Sequence, residues 1–184
     1  MPNAIEMLRE DHRKVKELFQ RFERGDSDEK EQIAHQTLHE LEVHAALEEE
    51  IFYPAAREHV HEEEQIDEAL EEHHVAKLLI GELKKMSPDD ERFEAKYKVL
   101  AESVKHHIQE EESEMFPMLE DGLDAEGLGQ QMEARKQKLQ QKMTSRSATR
   151  GSKTKARAKT RSKRGRSRQS ARNKGRKRAS GGRR

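Results

Sequence analysis

One pattern occurs twice in this chain and restricts it more than any other feature. His44-Ala45-Ala46-Leu47-Glu48-Glu49-Glu50-Ile51-Phe52-Tyr53-Pro54 returns sixty-three residues later as His107-Ile108-Gln109-Glu110-Glu111-Glu112-Ser113-Glu114-Met115-Phe116-Pro117. Within each run a His and a Glu stand four residues apart, so they share one face of a helix. Leu41, Leu47, Ile51 and Phe52 lie on or beside the first such face, and Leu100 and Val104 precede the second. Both pairs therefore aim an imidazole and a carboxylate at a hydrophobic seam. A charge buried there has to be paired or has to coordinate a metal. A solvated Glu-rich helix produces one such run by chance. Two runs, each closed by an aromatic residue and a proline, point to a duplicated half-site.

Helical spacing of apolar residues supplies the rest of the frame. Asn3 caps a first helix over about 4–24, with Ile5, Leu8, His12, Val15, Leu18, Phe19 and Phe22 on its stripe. A second helix runs over about 28–53, and Pro54 should end or kink it. A third covers about 63–86. A fourth covers about 88–115, started by Ser87 as cap and Pro88 at the first position. Steps of three, six, seven and ten residues from His73 reach Ala76, Leu79, Ile80 and Leu83, matching the steps from His12 to Val15, Leu18, Phe19 and Phe22. His73 is therefore the inward member of the His73–His74 pair. His107, with Val104 and Glu111 on its face, is preferred to His106. His35, His59 and His61 read as solvated, and His39 is out of step with the His44–Glu48 face.

His12 and His73 are 61 residues apart, and His44 and His107 are 63 apart. The chain is thus two similar helix pairs, each with one inward His followed by a His-x-x-x-Glu helix. Short loops between amphipathic helices predict an all-α, antiparallel up-down four-helix bundle. Facing repeats would gather His12, His44, Glu48, His73, His107 and Glu111 in its core. Cysteine is absent, which excludes disulfides, iron–sulfur ligation and catalytic thiols. Any metal site must use His and carboxylate, a donor set suited to a pair of Fe, Mn or Zn ions. The plain alternative is a Glu-rich bundle whose histidines only bond to one another.

Charge divides the chain again. Of 37 Lys and Arg, 22 lie from Arg135 onward, where there is no Asp or Glu, which leaves 15 basic against 37 acidic residues before it. Such segregation marks two regions with different jobs. The expected organisation is a bundle over 1–120, a closing helix or linker over 121–143, and a disordered basic tail over 144–184. Within the tail Lys153, Lys155, Arg157, Lys159, Arg161, Lys163, Arg164, Arg176, Lys177 and Arg178 are candidates for phosphate contacts. They would give sequence-independent, salt-dependent binding to DNA. No aromatic interleaves them, so base stacking is not indicated. No apolar run approaches the ~20 residues of a membrane span. The N-terminus has neither the basic nor the apolar region of a signal peptide, so the expected place is the cytoplasm, with nucleoid association through the tail.

The first 120 residues resemble the hemerythrin family, in its bacterial HHE cation-binding branch. Asp11-His12, the His44-x-x-x-Glu48 run, Glu72-His73 and the His107-x-x-x-Glu111 run carry the likeness. The resemblance implies a non-haem centre of two iron ions with an oxo or hydroxo bridge. Glu48 and Glu111 would bridge the ions, and His12, His44, His73 and His107 would be terminal ligands. It also implies dioxygen or peroxide as partner, in oxygen or oxidant sensing, iron handling or stress response. Oxygen-carrying members have a further histidine one turn after the third-helix ligand, where this chain has Lys77. A water or Glu72 would then complete the centre, and oxidation would be favoured over reversible carriage. The reading from another class is a histone-like, DNA-associated protein that uses the bundle as a scaffold.

Overall fold

The computed structural model describes residues 2–59, 64–120 and 122–142. His61 and the ten basic tail positions lie outside them. One compact unit spans Met1–Lys138, and residues 139–142 are described beyond it.

Four long helices build the first unit: Ala4–Arg24, Ser27–Leu47, Glu64–Leu83 and Phe93–Glu110. The first packs on the second and the third on the fourth. Contacts of first with fourth and second with third close the ring. A further helix covers 125–142. Local signals set the starts. The Asn3 side chain accepts the Glu6 N–H at 3.1 Å. Asp26 and Glu29 form a reciprocal capping box ahead of the second helix, two residues after the first has ended.

The fourth helix begins at Phe93, five residues later than its sequence predicts. Ser87-Pro88 opens turns instead: the Asp90 N–H bonds Ser87 O and the Phe93 N–H bonds Asp90 O, each at 2.9 Å. The Asp90 side chain takes the Arg92 N–H at 3.0 Å. A short polar side chain here competes for the donors that a helix would have used.

Neither proline ends its helix. Glu48–Phe52 and Glu111–Met115 are π-helical turns, each leading into an α-turn, Tyr53–Arg57 and Phe116–Leu119. The Tyr53 N–H bonds Glu48 O and the Phe116 N–H bonds Glu111 O, each a five-residue step. Pro54 and Pro117 lack the N–H for a normal bond four residues back and would crowd that carbonyl. Widening the turn by one residue relieves the clash, and it re-aims the side chains beyond it.

One hydrophobic cluster fills the end of the bundle near the first interhelix loop, and Ile5, Leu8, Phe52, Ile66, Phe116 and Leu119 are buried toward the other end. Phe22 stacks on Tyr97 at 3.8 Å between ring centroids. Tyr97 Oη donates to Thr37 Oγ1 at 2.8 Å, and Thr37 Oγ1 donates to Ile33 O at 2.8 Å. Burial pushes the Tyr97 hydroxyl up to about 12, with the Thr37 bond opposing. The polar chain is satisfied link by link, so this end is fixed without a ligand.

Candidate metal centre

Ten residues along the first helix from Phe22, the core turns polar. His12, His44, Glu48, His73, His107 and Glu111 are all buried, none more than 5% exposed. Four helices bring them together: His12 from the first, His44 and Glu48 from the second and its π-turn, His73 from the third, His107 and Glu111 from the fourth and its π-turn. His35, His74 and His106 lie at the surface. Apolar spacing therefore identifies the inward member of each adjacent pair.

The six side chains fall into two groups that share a residue. His12, His44, Glu48 and Glu111 offer ligand atoms within 4.8 Å of one another, and so do Glu48, His73 and His107. Glu48 Oε1 is 3.0 Å from His44 Nε2, while its Oε2 is 3.2 Å from His73 Nε2. One carboxylate thus presents an oxygen to each group. Glu111 Oε2 lies 3.3 Å from His12 Nε2 and 3.5 Å from His107 Nε2.

The duplication continues behind these residues. His12 Nδ1 faces Glu112 at 2.9 Å, and Glu112 pairs with Lys16 at 3.1 Å. In the other half His73 Nδ1 faces Glu49 at 2.9 Å, and Glu49 pairs with Lys77. Glu72 Oε2 is 2.8 Å from His107 Nδ1. Its counterpart Asp11 stands 3.9 Å from His44 Nδ1 and is held instead by Lys136 at 2.6 and 2.8 Å. Glu72 therefore orients His107 from behind; the expectation that it completes the centre does not fit its place. Lys77 is the twin of Lys16, sitting outside Glu49.

These outer carboxylates decide where the imidazole protons sit. An ionised carboxylate only accepts, so the Nδ1 atoms of His12, His73 and His107 carry protons. A neutral ring then turns a bare lone pair inward at Nε2. Yet the Nε2 atoms of His12 and His44 are 3.2 Å apart, and those of His73 and His107 are 3.1 Å apart. Among the described residues, nothing but the histidines themselves is placed to donate to either Glu48 oxygen or to Glu111 Oε2, although all three atoms are buried. Lone pairs and anionic oxygens facing one another in an apolar core need positive charge between them. Without metal, protons supply it. Burial opposes charge on His44, but Glu48 and Asp11 outweigh it and raise the ring to about 10. His107 is raised to about 9 by Glu111 and Glu72 against burial. Glu48, despite burial, is held well below the ordinary carboxylate range by His44 and His73. Cations in the two groups would replace those protons, so the residues present fit a pair of metal ions.

A cavity of about 30 Å³ adjoins the four histidines, walled by apolar side chains that include Val15, Leu41, Ile80 and Val104. Lys77 stands at its edge. This is space for a water or a diatomic molecule, with little on the walls to hold a water.

The sequence pattern does not single out Tyr53. Its hydroxyl donates to Glu111 Oε1 at 2.9 Å and lies 3.4 Å from His73 Nε2. Burial, then the charges of Glu48 and Glu111, push its pKa well above the usual value, so it stays a proton donor. Its twin is Phe116, whose ring stacks on His12 at 5.8 Å. The two groups are thereby chemically unequal. The aromatic-Pro ending marks both positions, but nothing in the pattern says that the hydroxyl turns inward.

Comparison with known proteins agrees with this geometry. The model of the hemerythrin HHE cation binding domain matches residues 3–119. The chain is 30% identical over 142 residues to a DNA nickase of Nostoc sp., covering 75% of this chain and 40% of that protein. It is 29% identical over 129 residues to an uncharacterized hemerythrin-like protein of Schizosaccharomyces pombe, covering 68% and 64%. The chain thus spans less than two thirds of the length of either relative. The crystal structure of a hemerythrin HHE cation binding domain-containing protein from Mycobacterium kansasii superposes with a TM-score of 0.65 at 25% identity, covering 76% of this chain and 88% of that one. With its bundle, its duplicated half-sites and its clustered His and Glu residues, the chain belongs to the hemerythrin HHE cation-binding family.

Proposed function

We propose that the protein binds two iron ions between its helix pairs and reacts with dioxygen or peroxide. The carrying observation is the set of buried oxygens on Glu48 and Glu111 that face the four imidazole Nε2 atoms, three of which, on His12, His73 and His107, belong to rings already bonded outward through Nδ1. His12 and His44 would hold one ion and His73 and His107 the other, with Glu48 and Glu111 between them. Such a pair supplies electrons to a small oxidant. The chain itself contributes three things. Glu112, Glu49 and Glu72 fix ring orientation and tautomer. The apolar cavity admits a diatomic molecule while giving water few partners. Tyr53 keeps a proton at Glu111 Oε1. Metal content of protein expressed with iron, and its reactivity after reduction, test this reading.

A second reading concerns the tail. Residues 144–184 would hold the bundle on DNA through phosphate contacts, as sequence composition suggests. The likeness to a protein named a DNA nickase supports a nucleic-acid setting for the bundle. Here the bundle would be a scaffold or an oxidant-handling module kept near DNA. Retardation of duplex DNA by the full chain and by a truncated one tests it.

A further inference from the structure

The duplication that builds the centre breaks down in one groove. Glu68, His106, Glu110 and Glu114 stand where the first half has Met7, Val43, Leu47 and Ile51. On the first-half side the closing helix crosses the bundle. Lys136 neutralises Asp11 there, Arg135 pairs with Glu50 at 2.6 and 2.8 Å, and Gly129 packs so close to Pro2 that a Cβ would lie 2.1 Å from its carbonyl oxygen. The corresponding groove between the third and fourth helices is acidic and holds a cavity of about 40 Å³. Among the described residues no Lys or Arg lines it.

This groove is graded from water to the centre. Of its lining, Glu68 and Glu114 are exposed, Glu72 and Glu110 are half-buried, and His107 and Glu111 are buried; His106, exposed beside it, lies 3.2 Å from Glu110. Glu72, His106 and Glu110 place ligand atoms within 4.8 Å of one another. Acidic clusters are common on surfaces, but this one ends on Glu111, 1% exposed, which lines the groove and turns Oε2 to His12 and His107 in the buried centre. We propose that the groove is the route by which a divalent transition-metal ion enters, with Glu72, His106 and Glu110 as a staging site before Glu111 and His107. The mixed imidazole and carboxylate set suits such an ion better than calcium or magnesium. An acidic cleft also concentrates cations and speeds their capture. The proposal rests on the reading that the buried centre holds metal.

Loading of the metal-free, full-length protein with Co²⁺ separates the two ideas. End-point metal content reports the centre; the rate at which visible cobalt absorption grows reports the route. Glu110→Gln with Glu114→Gln should slow loading ~10-fold at low ionic strength, and His106→Ala should slow it too, each with an unchanged end-point. Glu31→Gln with Glu91→Gln, two exposed acids elsewhere, should leave the rate alone. Groove variants that load at the wild-type rate, or a control pair that slows loading equally, would overturn the route. Should a groove variant lower the end-point, Glu48→Ala protein provides the second measurement: one weakly held Co²⁺ that disappears with His106→Ala supports the staging site, and its absence refutes it. Wild-type protein that takes up no cobalt would overturn the reading of the centre, and the route with it.

Discussion

Tyr53 Oη donates to Glu111 Oε1 across 2.9 Å, tying the end of the first His-x-x-x-Glu run to the carboxylate of the second. The bond makes the two carboxylates unequal. Glu48 has both oxygens free to face the two histidine groups, and Glu111 has one. At the twin position Phe116 has no hydroxyl to offer.

Tyr53→Phe tests that inequality, and the ring fits because Phe already occupies the twin. In metal-free protein the change strips a buried carboxylate of its one neutral donor among the described residues, which should cost about 1–3 kcal/mol of stability. Iron-loaded protein should lose clearly less, because a cation then satisfies Glu111. Urea unfolding of both forms measures the difference. Equal losses would mean that the hydroxyl serves packing alone.

The outer carboxylates should matter nearly as much as the ligands. Glu112→Ala and Glu49→Ala free the Nδ1 atoms of His12 and His73. Each should weaken metal affinity ~10–100-fold, and by similar factors, since the two positions are related by the duplication. Competition with a chelator of known affinity reads this out. Variants that bind iron as tightly as wild type would show that packing alone orients the rings.

Much of this is legible in the sequence, and the reasons differ by residue. His73 is separable from His74 because steps of three, six, seven and ten residues from it are apolar, and His107 from His106 because Val104 and Glu111 share its face. The two half-sites are visible because His, Glu and Pro recur at fixed spacing. Glu49 and Glu112 are hidden within runs of Glu, where only the three-dimensional angle distinguishes a carboxylate behind a ligand from a solvated one. Tyr53 is hidden by its π-turn: one extra residue rotates the next side chains away from ideal helical register. Lys136 reaches Asp11 from 125 positions away, a pairing with no local signal. Ser87-Pro88 reads as a helix start because its cap chemistry is the same chemistry that makes a turn.

Lys77 stands one turn after His73, at the edge of the apolar cavity, where the oxygen carriers are expected to have histidine. In the proposed centre Lys77→His would add an imidazole ligand, and it should therefore slow oxidation of the reduced, iron-loaded protein by dioxygen. Lys16→His, at the twin position, is the control for loss of the outer ion pair. Stopped-flow oxidation rates compare them. Equal effects of both changes would assign the result to the ion pair and not to an added ligand.

The basic tail should carry any DNA binding. The full chain should retard duplex DNA at low salt, weaken steeply as salt rises and show no sequence preference. A chain ending at Met143 should not bind. Binding that survives the truncation would place the interface on the bundle.

The most direct test is the metal content of protein expressed with iron, alongside Glu48→Ala and His74→Ala. A bundle with two His groups sharing a carboxylate should hold about two irons per chain. Glu48→Ala should lose most of them, because the two oxygens of Glu48 face different histidine groups. His74→Ala should lose none, since His74 lies at the surface. Folded wild-type protein that emerges from iron-rich expression without metal, or a Glu48→Ala chain that keeps both ions, would contradict the account.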